Sequence, residues 1–220
     1  MNLQKLIDEA LAREQLERSG RVRSGMISPS SLGRCYRFQY WSRKNEPVSD
    51  PIDARTLRKF KAGKLFHDFV GGLLIGQEKE VLVKKDDILG YADIVMEDRV
   101  LDIKSVHSND FRRFWGKDYD VFKEKEGYWL QVATYAWILQ KKWCGLFFIS
   151  KDDLITEQYE ALTTRFIPKI EEELKILRDY WNKNELPNGS PRAYNGKECL
   201  YCGFYTKCDS PDKKLKKEKK

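Results

Sequence analysis

No stretch of this 220-residue chain is long and apolar enough to cross a bilayer, and the most lipid-like segment, residues 69–76, falls far short. The first twenty residues alternate charged and aliphatic side chains and lack the continuous apolar segment of a secretory signal. A cytoplasmic location with no membrane partner is therefore expected. No glycine-rich phosphate loop ending in Gly-Lys-Ser or Gly-Lys-Thr is present, which argues against a nucleotide-driven motor. There is no internal repeat. Apolar material is not short, however. Hydrophobic residues make up 41% of the chain, enough to build a core and to exclude a disordered polymer.

The net charge of +7 favours an anionic partner such as nucleic acid. Its distribution weakens that reading. Residues 212–220 hold six lysines, one aspartate and one glutamate, a net +4, which leaves only +3 for the rest. A lysine tail attracts a phosphate backbone but reads no sequence.

An intracellular chain has little use for stable disulfides, so its five cysteines need another explanation. Cys199, Cys202 and Cys208 form a Cys-x2-Cys-x5-Cys cluster, and a Cys-x2-Cys pair is a chelating arrangement. Cys35 stands alone early in the chain, and Cys144 lies in an apolar run that reads as a buried strand. A fourth thiolate from Cys35 would complete either a tetrahedral zinc site or an iron–sulfur cluster and clamp the two ends of the chain together. Spacing alone leaves both open.

Periodicity predicts helices over 28–42, with Ser28 capping and Pro29 at the first helical position, and over 52–74, 128–141 and 163–183. Strands are predicted over 80–84, 89–96, 100–106, 143–150 and 154–162. Residues 111–126 read as a loop or short helices. The order of elements implies an α/β or α+β fold with a mixed central sheet.

The chemistry concentrates between Gly90 and Val106. Gly90-Tyr-Ala-Asp93 sits in one strand and Asp102-Ile103-Lys104 in the next, joined by a tight turn at 97–99. Alternation puts Asp102 and Lys104 on one face, and pairing brings Asp93 close to Asp102. Two such carboxylates repel unless a cation joins them, and a hard divalent ion suits oxygen ligands. Lys104 can orient a water and balance charge building on a phosphate. The plain alternative is an exposed, salt-bridged strand. Glu80 could also face such a site. Tyr36, Phe38, Tyr40 and Trp41, interleaved with Arg34, Arg37 and Arg43, could stack on single-stranded bases or simply pack beside Cys35; the segment from Phe111 to Trp115 could pack or form a loop over the substrate.

Gly90-x2-Asp93, Asp102-x-Lys104, Gln131-x3-Tyr135 and the upstream Gly63-Lys-Leu-Phe-His67 together resemble the RecB-like branch of the PD-(D/E)XK nuclease superfamily. With the four cysteines, the pattern is similar to the iron–sulfur, CRISPR-associated RecB-like exonucleases and their stand-alone viral relatives. The resemblance spans roughly residues 27–208. It implies a restriction-endonuclease-like core with the ends joined by an iron–sulfur cluster. A helical extension would occupy 1–26, a single nuclease domain 27–208 and a disordered basic tail 209–220. It implies that His67, Asp93, Asp102 and the Ile103 carbonyl hold magnesium or manganese and that Lys104 is catalytic. It also implies that Gln131 and Tyr135 support the lysine and contact DNA, and that Cys35, Cys199, Cys202 and Cys208 hold a four-iron–four-sulfur cluster. The expected activity is exonucleolytic hydrolysis of single-stranded DNA or DNA ends, with some endonuclease action, in CRISPR adaptation or in viral recombination, repair or replication. Partners would be DNA, proteins of those systems and a second copy of the chain; a viral protein would work in host cytoplasm. The rival expectation is a DNA-binding module that keeps the fold and a structural zinc or iron–sulfur site but does not cut.

Overall fold

The computed structural model describes residues 2–19, 25–114, 119–194 and 196–213. Five strands, β1 (Glu78–Lys85), β2 (Ile88–Val95), β3 (Arg99–Val106), β4 (Trp143–Ser150) and β5 (Thr156–Leu162), form one sheet in sequence order. All neighbours are antiparallel except β3 and β4, which run parallel. A parallel pair needs a long crossover. Here it is supplied by α4 (Ser108–Phe114), α5 (Val121–Glu124) and α6 (Glu126–Ile138). The sheet is therefore mixed and flanked by helices, as its periodicity predicted, and residues 111–114 and 121–124 lie in short helices, the second of the two readings open for that segment.

Helix α6 is buried on most of its circumference, with Trp129, Leu130, Val132, Ala133, Tyr135 and Ala136 all inside. A helix apolar all round belongs in a core. It packs on the face of the sheet that carries Val100, Leu146 and Phe148, and Trp129 stacks against Phe166 with ring centroids 5.2 Å apart. The opposite face carries Ile94, Leu101 and Ile103, covered by Val70 and Leu74 at the end of α3 (Ala54–Leu73). Helix α3 starts where Asp53 accepts a hydrogen bond from the Thr56 amide at 2.8 Å, a side-chain cap. Helix α1 (Leu3–Ser19) lies against α3, tied by ion pairs from Arg58 to Asp8 and from Lys61 to Glu14. No described helix is long and apolar enough to cross a membrane.

The helix expected over 28–42 is broken. Pro29–Ser31 makes a single 3-10 turn, Gly33 adopts φ +76°, and α2 begins afresh at Tyr36–Arg43 with Cys35 as its N-cap residue. A positive φ ends a helix, and glycine takes it without a steric penalty. Tyr40 and Trp41 are buried beside Phe204, and Arg34 lies over the Phe38 ring at 3.6 Å. Packing therefore accounts for this aromatic run. Helix α7 (Ile167–Asn182) completes that layer through Tyr180 and Trp181. Trp115 and most of the basic tail, residues 214–220, lie outside the described residues, as do the side chains of 112–114.

Candidate functional site

Strands β2 and β3 pair at Ile94 with Leu101 and at Val95 with Val100, beyond the turn where the Met96 amide donates to the Arg99 carbonyl at 2.9 Å. Their ladder goes no further. In its place the Asp93 carboxylate enters, and its Oδ2 accepts a hydrogen bond from the Ile103 amide at 2.8 Å. A buried strand amide needs an acceptor, and here a side chain supplies it. The facing of β2 slips at this point. Ala92 belongs to the core against α6, while Ile94 belongs to the cluster under α3. The parting of the strands lets His67 on α3 come to Asp93, with Nδ1 3.5 Å from Oδ2.

On β3, Asp102 and Lys104 share the α6 side, and Lys104 Nζ lies 2.6 Å from Asp102 Oδ2. Asp102 is 1% exposed. Its Oδ1 accepts from Gln131 Nε2 at 3.0 Å, and its buried Oδ2 is held by the Lys104 ammonium. Burial pushes the Asp102 carboxyl up to about 6, Asp93 pushes it the same way, and Lys104 opposes them. Asp93 is also raised by burial, but His67, Lys104 and the Ile103 amide outweigh that and hold it below the usual carboxylate range. Burial lowers Lys104, and the two carboxylates more than reverse this. The two carboxylates are thus shifted in opposite directions, Asp93 down and Asp102 up, with Lys104 and His67 opposing the rise at Asp102.

The structure brings together His67, Asp93, Asp102, Ile103, Lys104 and Gln131. Tyr135 lies one turn beyond Gln131, interacts with it and with the Tyr91 backbone, and is raised by burial and by both aspartates. Glu80 does not join. It is exposed, has φ +47°, and pairs with Lys64 at 3.1 Å. One neighbour was missed by the sequence reading. The ring centroid of Tyr128 lies 4.8 Å from Lys104 Nζ, so the lysine sits between a carboxylate and an aromatic face. Tyr128 lies three residues before Gln131 on α6, and only that helical spacing could have indicated it.

Among the described residues, no three His, Cys, Asp or Glu side chains cluster as metal ligands do. The oxygen donors of Asp93 and Asp102 are of the kind a hard cation takes, but Lys104 Nζ holds the place at Asp102 Oδ2. Cys35, Cys199, Cys202 and Cys208 line one small cavity of about 20 Å³ with Arg37, Trp41 and Glu198. That is room for about one water. Burial pushes the Cys35 thiol up to about 11 and raises Cys202 as well, while the Phe204 amide lies 3.4 Å from Cys202 Sγ as a donor. The four cysteines border the same small cavity, but no three of them gather as closely as metal ligands do. Cys144 is buried in β4.

The clamp between the chain ends does not depend on sulfur. Glu198 is buried and accepts from Arg34 Nε at 3.0 Å, the Cys35 amide at 2.9 Å and the amides of Arg192 and Ala193 at 3.3 and 3.2 Å. Glu173, also buried, accepts from Tyr36 Oη at 3.0 Å and pairs with Arg192. Nothing marks these two among the 34 acidic residues of the sequence.

No family model matches the chain, and no curated protein matches its sequence. Among solved structures, the crystal structure of SSO0001 superposes with a TM-score of 0.60 at 19% identity, covering 98% of this chain and 99% of that one. This chain has the SSO0001 fold. An alkaline exonuclease, LHK-Exo from Laribacter hongkongensis, overlaps at a TM-score of 0.45 and 12% identity, over 76% of this chain and 98% of that one. A phage-related exonuclease from Haemophilus somnus 129PT overlaps at 0.37 and 17%, over 57% and 67%. These two superpositions are too loose to establish a common fold with this chain.

Proposed function

We propose that the chain is a metal-dependent DNA nuclease acting on single-stranded DNA or DNA ends, chiefly as an exonuclease. The observation that carries this reading is the gathering of Asp93, His67 and the buried Asp102, whose Oδ2 lies 2.6 Å from Lys104 Nζ, at one place on the sheet. Two carboxylates brought together in a largely buried setting repel one another unless cations join them. In this reading His67, Asp93, Asp102 and the Ile103 carbonyl hold magnesium or manganese. The ion, when bound, polarises a phosphodiester and offsets the charge that builds on it. Lys104 orients the attacking water and stabilises the negative charge that develops on the phosphate. Gln131 holds Asp102 Oδ1 in place, and Tyr135 packs behind it.

The four cysteines belong to this proposal as ligands of an iron–sulfur cluster, structural and of the four-iron type, next to the Glu198 clamp. Support comes from the Cys-x2-Cys-x5-Cys spacing and from the four residues bordering one cavity, which would have to widen well beyond its 20 Å³ to admit a cluster. The setting is the handling of DNA ends, in CRISPR adaptation or in viral recombination and replication.

The test is cleavage of labelled single-stranded DNA by the full chain with magnesium or manganese. Lys104→Ala and Asp102→Asn are expected to abolish cleavage while the far-ultraviolet circular dichroism stays that of the parent. Undiminished cleavage in both variants would remove the assignment. Iron and acid-labile sulfide in a coloured, anaerobically purified sample are expected; a colourless protein containing zinc would overturn the cluster.

A further inference from the structure

Past the contact of Asp93 with the Ile103 amide, β2 and β3 no longer pair. Further along, the place beside β2 passes to another segment. The Ile27 amide donates to the Asp87 carbonyl at 2.7 Å, and the Leu89 amide donates to the Ile27 carbonyl at 3.0 Å. The sheet thus has an opening between β2 and β3, with Asp93 at one end and Ile27 at the other. On the α6 side it is closed over Gly90 by Tyr135 and Pro29. On the α3 side two residues stand at its lips, Tyr91 and Ser105.

Tyr91 lies two residues from Asp93 on β2, and its register partner on β1 is Leu82. Their strand neighbours Ala92 and Val83 belong to the core under α6, so alternation turns Tyr91 and Leu82 to the opposite face, the one α3 covers in part. Helix α3 leaves them bare. Tyr91 is 60% exposed and Leu82 54%. Directly opposed residues on paired strands have β-carbons about 5 Å apart, so the ring and the leucine form one apolar surface beside the site.

Ser105 lies two residues from Ile103 on β3. The direction of its main chain follows from its neighbours. The Arg99 carbonyl accepts from Met96, on the β2 side, and the Val106 carbonyl accepts from Lys151 at 2.9 Å, on the β4 side. Strand residues present their main-chain groups to alternate sides, so Ile103 and Ser105 face the same way as Arg99. The Ile103 amide is taken by Asp93. The Ser105 amide faces the opening that β2 has vacated. Its side chain shares the α3 face with Ile103. There α3 passes at Gly63, where a β-carbon would lie 3.6 Å from Ser105 Oγ, and one turn later the same helix brings His67 to Asp93. Glycine at that turn leaves the hydroxyl uncovered.

We propose that this opening seats the nucleotide next to the scissile phosphodiester, its base stacked on Tyr91 beside Leu82 and its phosphate held by the Ser105 amide and hydroxyl. The inference rests on the nuclease reading and adds the residues that grip the strand beside the carboxylates. Two residues of strand rise span about 7 Å, so each lip stands one short step from Asp93 and Ile103. Main-chain amides and serine hydroxyls are ordinary phosphate donors and carry no sequence preference. A ring takes any base, but only one that is unstacked, which a single strand offers and a duplex does not.

The experiment measures binding apart from cleavage. The full chain, in EDTA to prevent turnover, is titrated against fluorescein-labelled oligodeoxyadenylate and against a series of the same strand carrying one abasic site at each position in turn. Tyr91→Ala is expected to bind the intact strand about ten-fold more weakly. Tyr91→Phe keeps the ring and should bind like the parent. Ser105→Ala, which loses the hydroxyl and keeps the amide, should bind about five-fold more weakly. One abasic position should weaken the parent about ten-fold and leave Tyr91→Ala unaffected, because the missing base is the one the ring holds. A purely structural role for Tyr91 would not produce that pattern.

Equal losses in parent and Tyr91→Ala along the whole abasic series overturn the seat. So do unchanged affinity in Tyr91→Ala and Ser105→Ala, and a parent that does not bind the strand. Cleavage of the same strand with magnesium, assayed alongside, separates the two readings. A parent that binds with the expected pattern but never cleaves refutes the nuclease and keeps the seat. A parent that cleaves while both variants bind as it does keeps the nuclease and refutes the seat.

Discussion

Tyr135 on α6 closes over Gly90 on β2: a β-carbon at residue 90 would lie 2.6 Å from Tyr135 Oη and 2.8 Å from its Cε1. The glycine of Gly90-x2-Asp93 and the tyrosine of Gln131-x3-Tyr135 are thus one contact seen from two places in the sequence. Pro29 Cδ, at 3.1 Å from the same point, closes the other side.

Gly90→Ala should therefore force Tyr135 aside and disturb its neighbour Gln131, which holds Asp102. Overpacking of this kind costs about 1–3 kcal/mol. Chemical denaturation is expected to show that loss, and cleavage should fall with it. The double variant Gly90→Ala/Tyr135→Leu should recover stability. A single variant as stable as the parent would contradict the contact.

Tyr128 is expected to act on cleavage by positioning Lys104. A ring facing a partly desolvated ammonium is worth about 1–2 kcal/mol, so Tyr128→Leu should slow single-turnover cleavage about ten-fold. Tyr128→Phe retains the ring and should rescue the rate. If phenylalanine and leucine slow the reaction equally, the ring face is not what matters.

Glu198 should matter more to stability than any surface ion pair. Removing a buried carboxylate leaves Arg34 and three backbone amides without their acceptor, a loss of about 3–5 kcal/mol. Glu198→Ala is expected to lower the denaturation midpoint by that amount. The same substitution in protein stripped of metal should cost nearly as much, because the clamp is made by oxygen. An effect seen only in metal-loaded protein would show that the cysteines carry the clamp.

Acid stability should report on Asp87, which joins α2 to α7. It accepts from Arg178 Nη2 at 2.6 Å and from Arg43 Nη2 at 3.2 Å. Burial alone would raise its carboxyl, but the two arginines outweigh burial and hold it below the usual carboxylate range. A folded-state value below the unfolded one stabilises the fold above the unfolded value, about 3.9, and that contribution disappears as pH falls through the folded value. Asp87→Asn should be less stable at neutral pH and should flatten the fall of the melting temperature below about pH 4. Acid limbs that run parallel would exclude the linkage.

Local patterning carried much of this fold. Strand β4 is a continuous apolar run, and the structure puts it in the sheet interior with a neighbour on each side. The break at Gly33 was not legible, because serine, proline and leucine there suit a helix until the chain must present the Cys35 amide to Glu198. The aromatic run from Tyr36 to Trp41 was ambiguous for a related reason. Stacking on bases and packing in a core call for the same residue types, and only the position of Phe204 and Trp181 separates them.

By itself the sequence determined the strands, most of the helices, the mixed sheet and the carboxylates and lysine on adjacent strands, since period-two alternation dictates which side chains share a face. The tertiary structure decided how they meet. It parted β2 from β3 so that Asp93 could take the Ile103 amide, closed Tyr135 on Gly90, and set Tyr128 against Lys104. It also chose Glu173 and Glu198, two acids among many, to join residues more than 130 positions apart. Those contacts depend on packing between distant segments, which no local pattern encodes.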